Sequence, residues 1–182
     1  LGNLSTRNPS IVIPILDKYL IECITELKYP TPYKDLSAKM LCSFVSSNRR
    51  TALSCMKPIL EFSISKIDQM DCSNDYLVSL LITIIHLSFY CGEEMNPYTN
   101  RILSSIIKIL VETITTETKE YAIKCIIYII QYTGYFIEND ANYSELFEVL
   151  LNLMEREQCR TFRRSIIHVF GCIGARDPDK IK

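Results

Sequence analysis

Three features of the sequence predict an all-α fold made of antiparallel helix pairs stacked in a row. Apolar residues make up 48% of the 182 residues while glycine appears only 5 times, which suits packed helices better than a turn-rich β fold. They recur three and four positions apart, the period of a helix that buries one face. Prolines and glycines fall at intervals, where they open and close helices. A pattern of helix, turn, helix and stop then returns along the chain.

Asn8-Pro9 reads as an N-cap followed by proline at the first helical position, where a missing N–H costs nothing. The helix it opens should reach Leu27 or Tyr29, with Val12, Leu16, Leu20, Ile24 and Leu27 on one face and Pro14 near its first turn. Pro30 and Pro32 close it. A second helix from about Tyr33 carries Leu36, Met40, Leu41, Phe44 and Val45 and should stop at Asn48.

The second pair is expected from about Ser54, with Pro58 in its opening turns and Leu60, Ile64 and Ile67 as its stripe. A loop at Asp68–Asp75 leads to Tyr76–Cys91, closed by Gly92. The third repeats the opening with Asn96-Pro97, continues through Ile102, Ile106, Ile107 and Leu110, turns at Thr115–Thr118, and runs from Tyr121 to Thr133 before Gly134. The fourth follows a loop at Glu138–Tyr143. Ser144 reads as its N-cap, Leu146, Phe147, Leu150, Leu151 and Met154 as its first stripe, and Glu155–Arg160 as its turn. Phe162, Ile166, Ile167, Val169, Phe170 and Ile173 form the last stripe, with Gly174 as a left-handed stop and Asp177-Pro178 barring continuation.

The four pairs are therefore placed at about 9–48, 54–92, 96–134 and 144–174, in a single array. Equivalent positions of the second helices, Leu41, Ile84, Ile126 and Phe170, step by 43, 42 and 44. Those of the first helices, Leu16, Leu60, Leu103 and Phe147, step by 44, 43 and 44. A two-helix unit at that period, with prolines early in first helices, is a HEAT-type α-solenoid repeat. Stacking is its main source of stability, since each well-buried Leu or Ile contributes roughly 1.5–3 kcal/mol. The outermost pairs of such a piece should show apolar surface where neighbours are lacking. The opening Leu1-Gly2-Asn3-Leu4 resembles the tail of a helix already under way, which suggests a piece of a longer protein.

A formal charge of −1 gives no global attraction to nucleic acid or anionic membrane. The most apolar stretch, Leu77–Cys91, is interrupted by Ser79, Thr83, His86 and Ser88 and is shorter than the ~20 residues needed to span a bilayer. It is expected to be a buried helix. The cysteines, Cys23, Cys42, Cys55, Cys72, Cys91, Cys125, Cys159 and Cys172, are spread about one per element without a CxxC pair, so reduced core thiols in cytosol or nucleus fit them better than disulfides or zinc.

No Gly-rich phosphate loop, GKS/T, HExxH, HRD or DFG motif occurs. His86 and His168 lie within helical stretches among apolar neighbours and read as core or groove-facing side chains. No catalytic, cofactor-binding or metal-binding residue follows. Arg160, Arg163 and Arg164 cluster at a helix start, where positive charge opposes the dipole. Two readings stand for them, contact with a partner or phosphate and, more simply, ion pairs with Glu155 and Glu157 across the turn. Arg49-Arg50 reads as a solvated turn after a helix end. Gly171, inside a helix, costs about 1 kcal/mol relative to Ala, which close approach of a neighbouring helix would offset.

The segment EVLLNLMEREQCRTFRRSIIHVFGCIGARDPDKIK (148–182) resembles the helical-repeat region of target of rapamycin (TOR) kinases. The resemblance lies in Leu150, Leu151, Arg163, Arg164, Gly171, Gly174, Ala175, Asp177 and Pro178. LGNLSTRNPSIVIPILDKYLIECITELKY (1–29), LSAKMLCSFVSSN (36–48) and MKPILEFSISKI (56–67) are similar to the same family in the same register, as is 132–136. Arg176 and Asp179 depart from the more apolar or aromatic pattern, and Ile127 stands where a small residue is expected. The resemblance implies a non-catalytic segment of a large serine/threonine kinase of the phosphatidylinositol-3-kinase-related group. Such a segment shapes the complex and offers surface to raptor-like or rictor-like subunits in nutrient and growth signalling. ATP and magnesium are then expected only in a distant kinase domain. Neighbouring HEAT repeats of the same chain are further partners, and nucleic acid and a transmembrane segment are not expected. The implied location is cytoplasmic, peripheral to endomembranes through the parent complex. A free-standing, transport-receptor-like adaptor that binds peptides along a concave face is the alternative.

Overall fold

Backbone hydrogen bonding in the computed structural model follows the punctuation of the sequence, and the residues it describes are 9–28, 33–47, 49–69, 73–134 and 141–176. Among them are eight α-helices and no strand: α1 Pro9–Lys28, α2 Lys34–Ser47, α3 Arg49–Gln69, α4 Asn74–Cys91, α5 Asn96–Glu112, α6 Thr116–Tyr132, α7 Ala141–Arg156 and α8 Arg160–Arg176. A 3₁₀ turn, Gly92–Met95, precedes α5. The all-α class and the four successive helix pairs are as expected. By contacts the chain divides into two compact units, Leu1–Cys91 and Gly92–Lys182.

In the first unit α1 packs on α2 and α3 on α4, while α1 also meets α3 and α2 meets α4, the most extensive contact of all. First helices thus stack on first helices and second on second. Polar clasps set the direction of the second stack. Ser73 Oγ donates to Asp35 Oδ1 at 2.8 Å and Lys39 Nζ to Asp75 Oδ2 at 3.1 Å, joining the two starts. Tyr90 OH donates to the Ser46 carbonyl at 2.9 Å, joining the two ends. α2 and α4 therefore run parallel. Ser73 Oγ also accepts from the Tyr76 amide at 3.2 Å, satisfying one orphan donor at the start of α4.

Helix α4 is enclosed nearly all round, with Leu80, Leu81, Ile84 and Leu87 fully buried. Its polar interruptions are accommodated locally. Ser79, Thr83 and Ser88 each donate a hydroxyl proton to the carbonyl four residues back, at 2.8, 2.8 and 2.9 Å, so none buries an unpaired donor. By length and composition alone the helical run Asn74–Glu112 holds a window apolar enough to cross a membrane; 61% of that window is buried inside the protein.

The second unit repeats the scheme. α5 packs on α6 and α7 on α8, α5 also meets α7, and α6 meets α8. Ile102, Ile106 and Ile109 of α5 and Ile123, Ile126 and Ile129 of α6 are fully buried. Gly92 and Gly134 adopt φ +57 and +67, the left-handed angles that favour glycine and that end helices, as their positions suggest. Burial in the last pair is one-sided. Leu146, Leu150, Phe162, Ile166 and Val169 face the core, whereas Phe147, Leu151 and Ile167 are exposed. At the other end of the chain, Ile21 of α1 and Leu36 of α2 are exposed too. Apolar surface on both outermost pairs was expected of stacked repeats.

Several boundaries differ from expectation. α3 begins at Arg49 instead of Ser54, because a single residue separates it from α2; Arg49-Arg50 therefore opens a helix, and Pro58 lies in mid-helix. α5 begins at Asn96 itself, with Met95 in the N-cap position, since the 3₁₀ turn feeds straight into it. α7 begins at Ala141, three residues before Ser144, and the turn after it is confined to 157–159. Gly174 lies inside α8, which runs on to Arg176, so it is not a left-handed stop. Gly171 is not under a neighbouring helix: a Cβ there would meet nothing within 4 Å. Asn48, Cys72, the loop 138–140 and Asp177-Pro178 lie outside the described residues.

These placements set expectations for urea unfolding of the chain. Ile84→Ala should cost about 2–5 kcal/mol, as a cavity in a closed helix stack does. Gly134→Ala should cost about 1–2 kcal/mol through its backbone angle, whereas Gly171→Ala should stabilise by about 0.5–1 kcal/mol. Equal midpoints for the two glycine variants would contradict the described backbone.

Candidate functional site

The turn between α7 and α8 is where the sequence gathers charge. Leu153 accepts from the Glu157 amide at 2.9 Å, closing α7, and Cys159 accepts from the Arg163 amide at 3.1 Å, opening α8. Between them Glu157 turns away from the arginines that follow it. Its Oε1 accepts from Lys119 Nζ at 3.2 Å, and both side chains are largely screened from solvent, 14% and 24% exposed. The expected ion pairs from Arg160, Arg163 and Arg164 to Glu155 and Glu157 are therefore not formed. Lys119, on the first turn of the neighbouring α6, holds Glu157 instead.

Arg160, Arg163 and Arg164 are exposed on the first turns of α8 and form no ion pair among the described residues. Positive charge there opposes the helix dipole by about 0.3–1 kcal/mol per group. The sequence of α8 contains no acidic residue to offset it.

Two clasps tie α6 and α8 together at either end. Lys119–Glu157 joins their starts, and Gln131 Nε2 donates to Cys172 Sγ at 3.4 Å near their ends. The helices therefore run parallel, side by side. On the solvent side of α6 stand Tyr121, Lys124, Tyr128 and Tyr132, with Lys124 Nζ 4.6 Å from the centre of the Tyr121 ring and the Tyr128 and Tyr132 rings 5.4 Å apart. On α8, opposite Phe162, Ile166 and Val169, stand Arg160, Arg164, His168 and Gly171, all exposed. His168 is thus a surface side chain rather than a core one.

Cys159, also exposed, is chemically distinct from the other described thiols. The Thr161 hydroxyl, 2.9 Å from its Sγ, and then the Phe162 backbone hold its pKa below the ordinary thiol value. Burial pushes Cys42 and Cys125 the other way, with the Thr83 side chain partly offsetting the effect at Cys42. Cys23, Cys55, Cys91 and Cys172 likewise form no disulfide. His86, half-buried and stacked 6.4 Å from Tyr90, has its pKa lowered by burial. Among the described residues no group of three or more His, Cys, Asp or Glu side chains could hold a metal ion.

Sequence spacing locates the arginine cluster, but the α6 stripe becomes part of the same surface only through helix stacking. Its signal in the sequence is the run of Tyr121, Lys124, Tyr128 and Tyr132 at helical spacing, with no acidic residue after Glu120 in that helix.

A family profile described as the serine/threonine-protein kinase mTOR domain matches residues 136–182. The serine/threonine-protein kinase mTor of Drosophila melanogaster is 33% identical over 186 aligned residues, covering 100% of this chain and 8% of that protein. TOR2 of Saccharomyces cerevisiae is 29% identical over 99% of the chain and TOR of Arabidopsis thaliana 27% over 97%, each match covering 7% of the relative. The chain thus spans a small fraction of the length of the relatives it matches.

The thiol geometry predicts where and how the chain alkylates. Iodoacetamide should label Cys159 before the other described cysteines, with a rate that rises at lower pH than for an ordinary cysteine, because a lowered pKa releases thiolate earlier. Thr161→Val should move that profile upward. Peptide mapping with a pH series checks both.

Proposed function

The chain belongs to the target of rapamycin family of serine/threonine-protein kinases, and from that premise we propose that it is a non-catalytic scaffold segment of such a kinase. One observation carries this reading: similarity runs along the whole chain, yet the chain spans only 7–8% of relatives named as kinases. Helix pairs stacked through apolar faces supply stiffness and surface. The phosphoryl transfer of the parent protein, with its ATP and magnesium, then belongs to another region. The parent's setting is cytoplasmic, peripheral to endomembranes through its complex.

In this role the segment holds the spacing between neighbouring parts of the parent and offers surface to regulatory subunits of raptor-like or rictor-like type. Arg160, Arg163 and Arg164 support the second task. They are exposed, they stand against the dipole of their own helix, and they spend their charge on no ion pair among the described residues. Such groups are available to an anionic surface.

Co-purification tests the reading. The chain should retain a raptor-like or rictor-like subunit, and Arg163→Ala with Arg164→Ala should weaken retention by about tenfold. Undiminished retention rejects docking by the cluster. ATP hydrolysis by the purified chain that His168→Ala abolishes would overturn the non-catalytic assignment.

A further inference from the structure

We infer that the solvent side of α6 and α8 is a docking surface for an acidic peptide segment that also carries apolar side chains. The inference rests on the docking role proposed above and names the chemistry of the partner.

Charge is the first argument. Along the face formed by these two parallel helices, acidic residues are confined to the first turns of α6, at Glu117 and Glu120. From Tyr121 to the end of α6, and over all of α8, there is none. Lys124, Arg160 and Arg164 stand there without an ion pair among the described residues. This local excess of positive charge occurs in a chain whose net charge is −1. Exposed cations engaged in no ion pair are stabilised by an anionic ligand without first breaking an internal salt bridge.

The second argument is the apolar content of the same face. Tyr128 and Tyr132 lie partly open with their rings in contact, and Tyr121 lies under Lys124. Tyrosines presented this way offer rigid apolar area with little loss of side-chain entropy on binding. On α8 the equivalent strip continues through His168 to Gly171, where the missing side chain leaves open space. A segment lying across the two helices can thus place carboxylates on Lys124 and Arg164 and apolar groups on Tyr128 and His168. A sequence pI of about 6.2 argues for this occupant over a nucleic acid, whose binding domains are typically strongly basic.

Fluorescence anisotropy on the purified chain tests the inference with a short fluorescein-labelled peptide of alternating glutamate and leucine, the matching glutamine–leucine peptide, and labelled oligouridine. The glutamate peptide should bind, the glutamine peptide at least about tenfold more weakly, and added salt should reduce the difference. Lys124→Glu with Arg164→Glu should weaken glutamate-peptide binding by about tenfold or more, while Arg49→Glu should leave it unchanged. Because both altered side chains of the double variant are exposed, its helical circular dichroism should match the parent. If it does not, Lys124→Gln with Arg164→Gln takes its place with the same expected direction. Equal binding of the two peptides, unchanged affinity in the double variant, or tighter binding of oligouridine would each overturn the inference. Peptide binding without capture of a raptor-like or rictor-like subunit leaves this surface standing and removes the subunit assignment. Subunit capture without peptide binding does the reverse.

Discussion

Everything else in this molecule depends on second helices lying against second helices. α2 on α4 and α6 on α8 are the most extensive contacts of their pairs' stacks, and each is fastened by polar groups near both ends. A lone helix pair can bury one face of each helix and leaves the other in water. Within the first unit, laying α3 and α4 alongside α1 and α2 covers α4 on further sides, and its Leu80, Leu81, Ile84 and Leu87 have no exposed area left. The apolar burial supplies the stability, roughly 1.5–3 kcal/mol per large side chain, and the clasps fix the register. Exposed bridges such as Lys39–Asp75 add little energy, so direction is their main contribution.

Much of this was legible because it is written in periodicity. Of the four equivalent second-helix positions, Leu41, Ile84 and Ile126 are fully buried and Phe170, in the last helix, is half-buried. Gly92 and Gly134 were placed as helix ends and both carry positive φ. What could not be read from spacing was decided by partners distant in the chain. Glu157 was expected to meet arginines a turn away, yet it bonds to Lys119, 38 residues earlier, because stacking brings α6 against the α7–α8 turn. Gly171 was expected under a close neighbour, yet it lies on the open side of α8, and Gly174 was expected to end a helix that continues past it. A glycine's sequence context gives no measure of what stands above it. The basic cluster itself was visible in the sequence; its lack of ion pairs was not.

Pairing choices of this kind connect the architecture to chemistry. With Glu157 committed to α6, the carboxylate nearest in sequence to the arginines is withdrawn from them, and α8 begins with cations that nothing in its own sequence balances. The same turn exposes Cys159 beside the Thr161 hydroxyl and so alters its thiol. Inside the first unit the Ser79, Thr83 and Ser88 hydroxyls of α4 are satisfied by their own helix, whereas the buried Ser63 hydroxyl of α3 makes no hydrogen bond among the described residues.

The clasps also bear on how the chain reaches this arrangement. Those between stacked second helices join residues 36 to 44 apart, one repeat's length, whether in the first unit or the second. Closing such a loop requires only a neighbouring stretch of chain to return on itself, and the entropy of doing so grows slowly with length. Folding by nearest-neighbour contacts of this sort can nucleate within either unit and spread from one pair to the next inside it. A ribosome releasing this chain could therefore complete the stack of α1 to α4 before α7 and α8 exist.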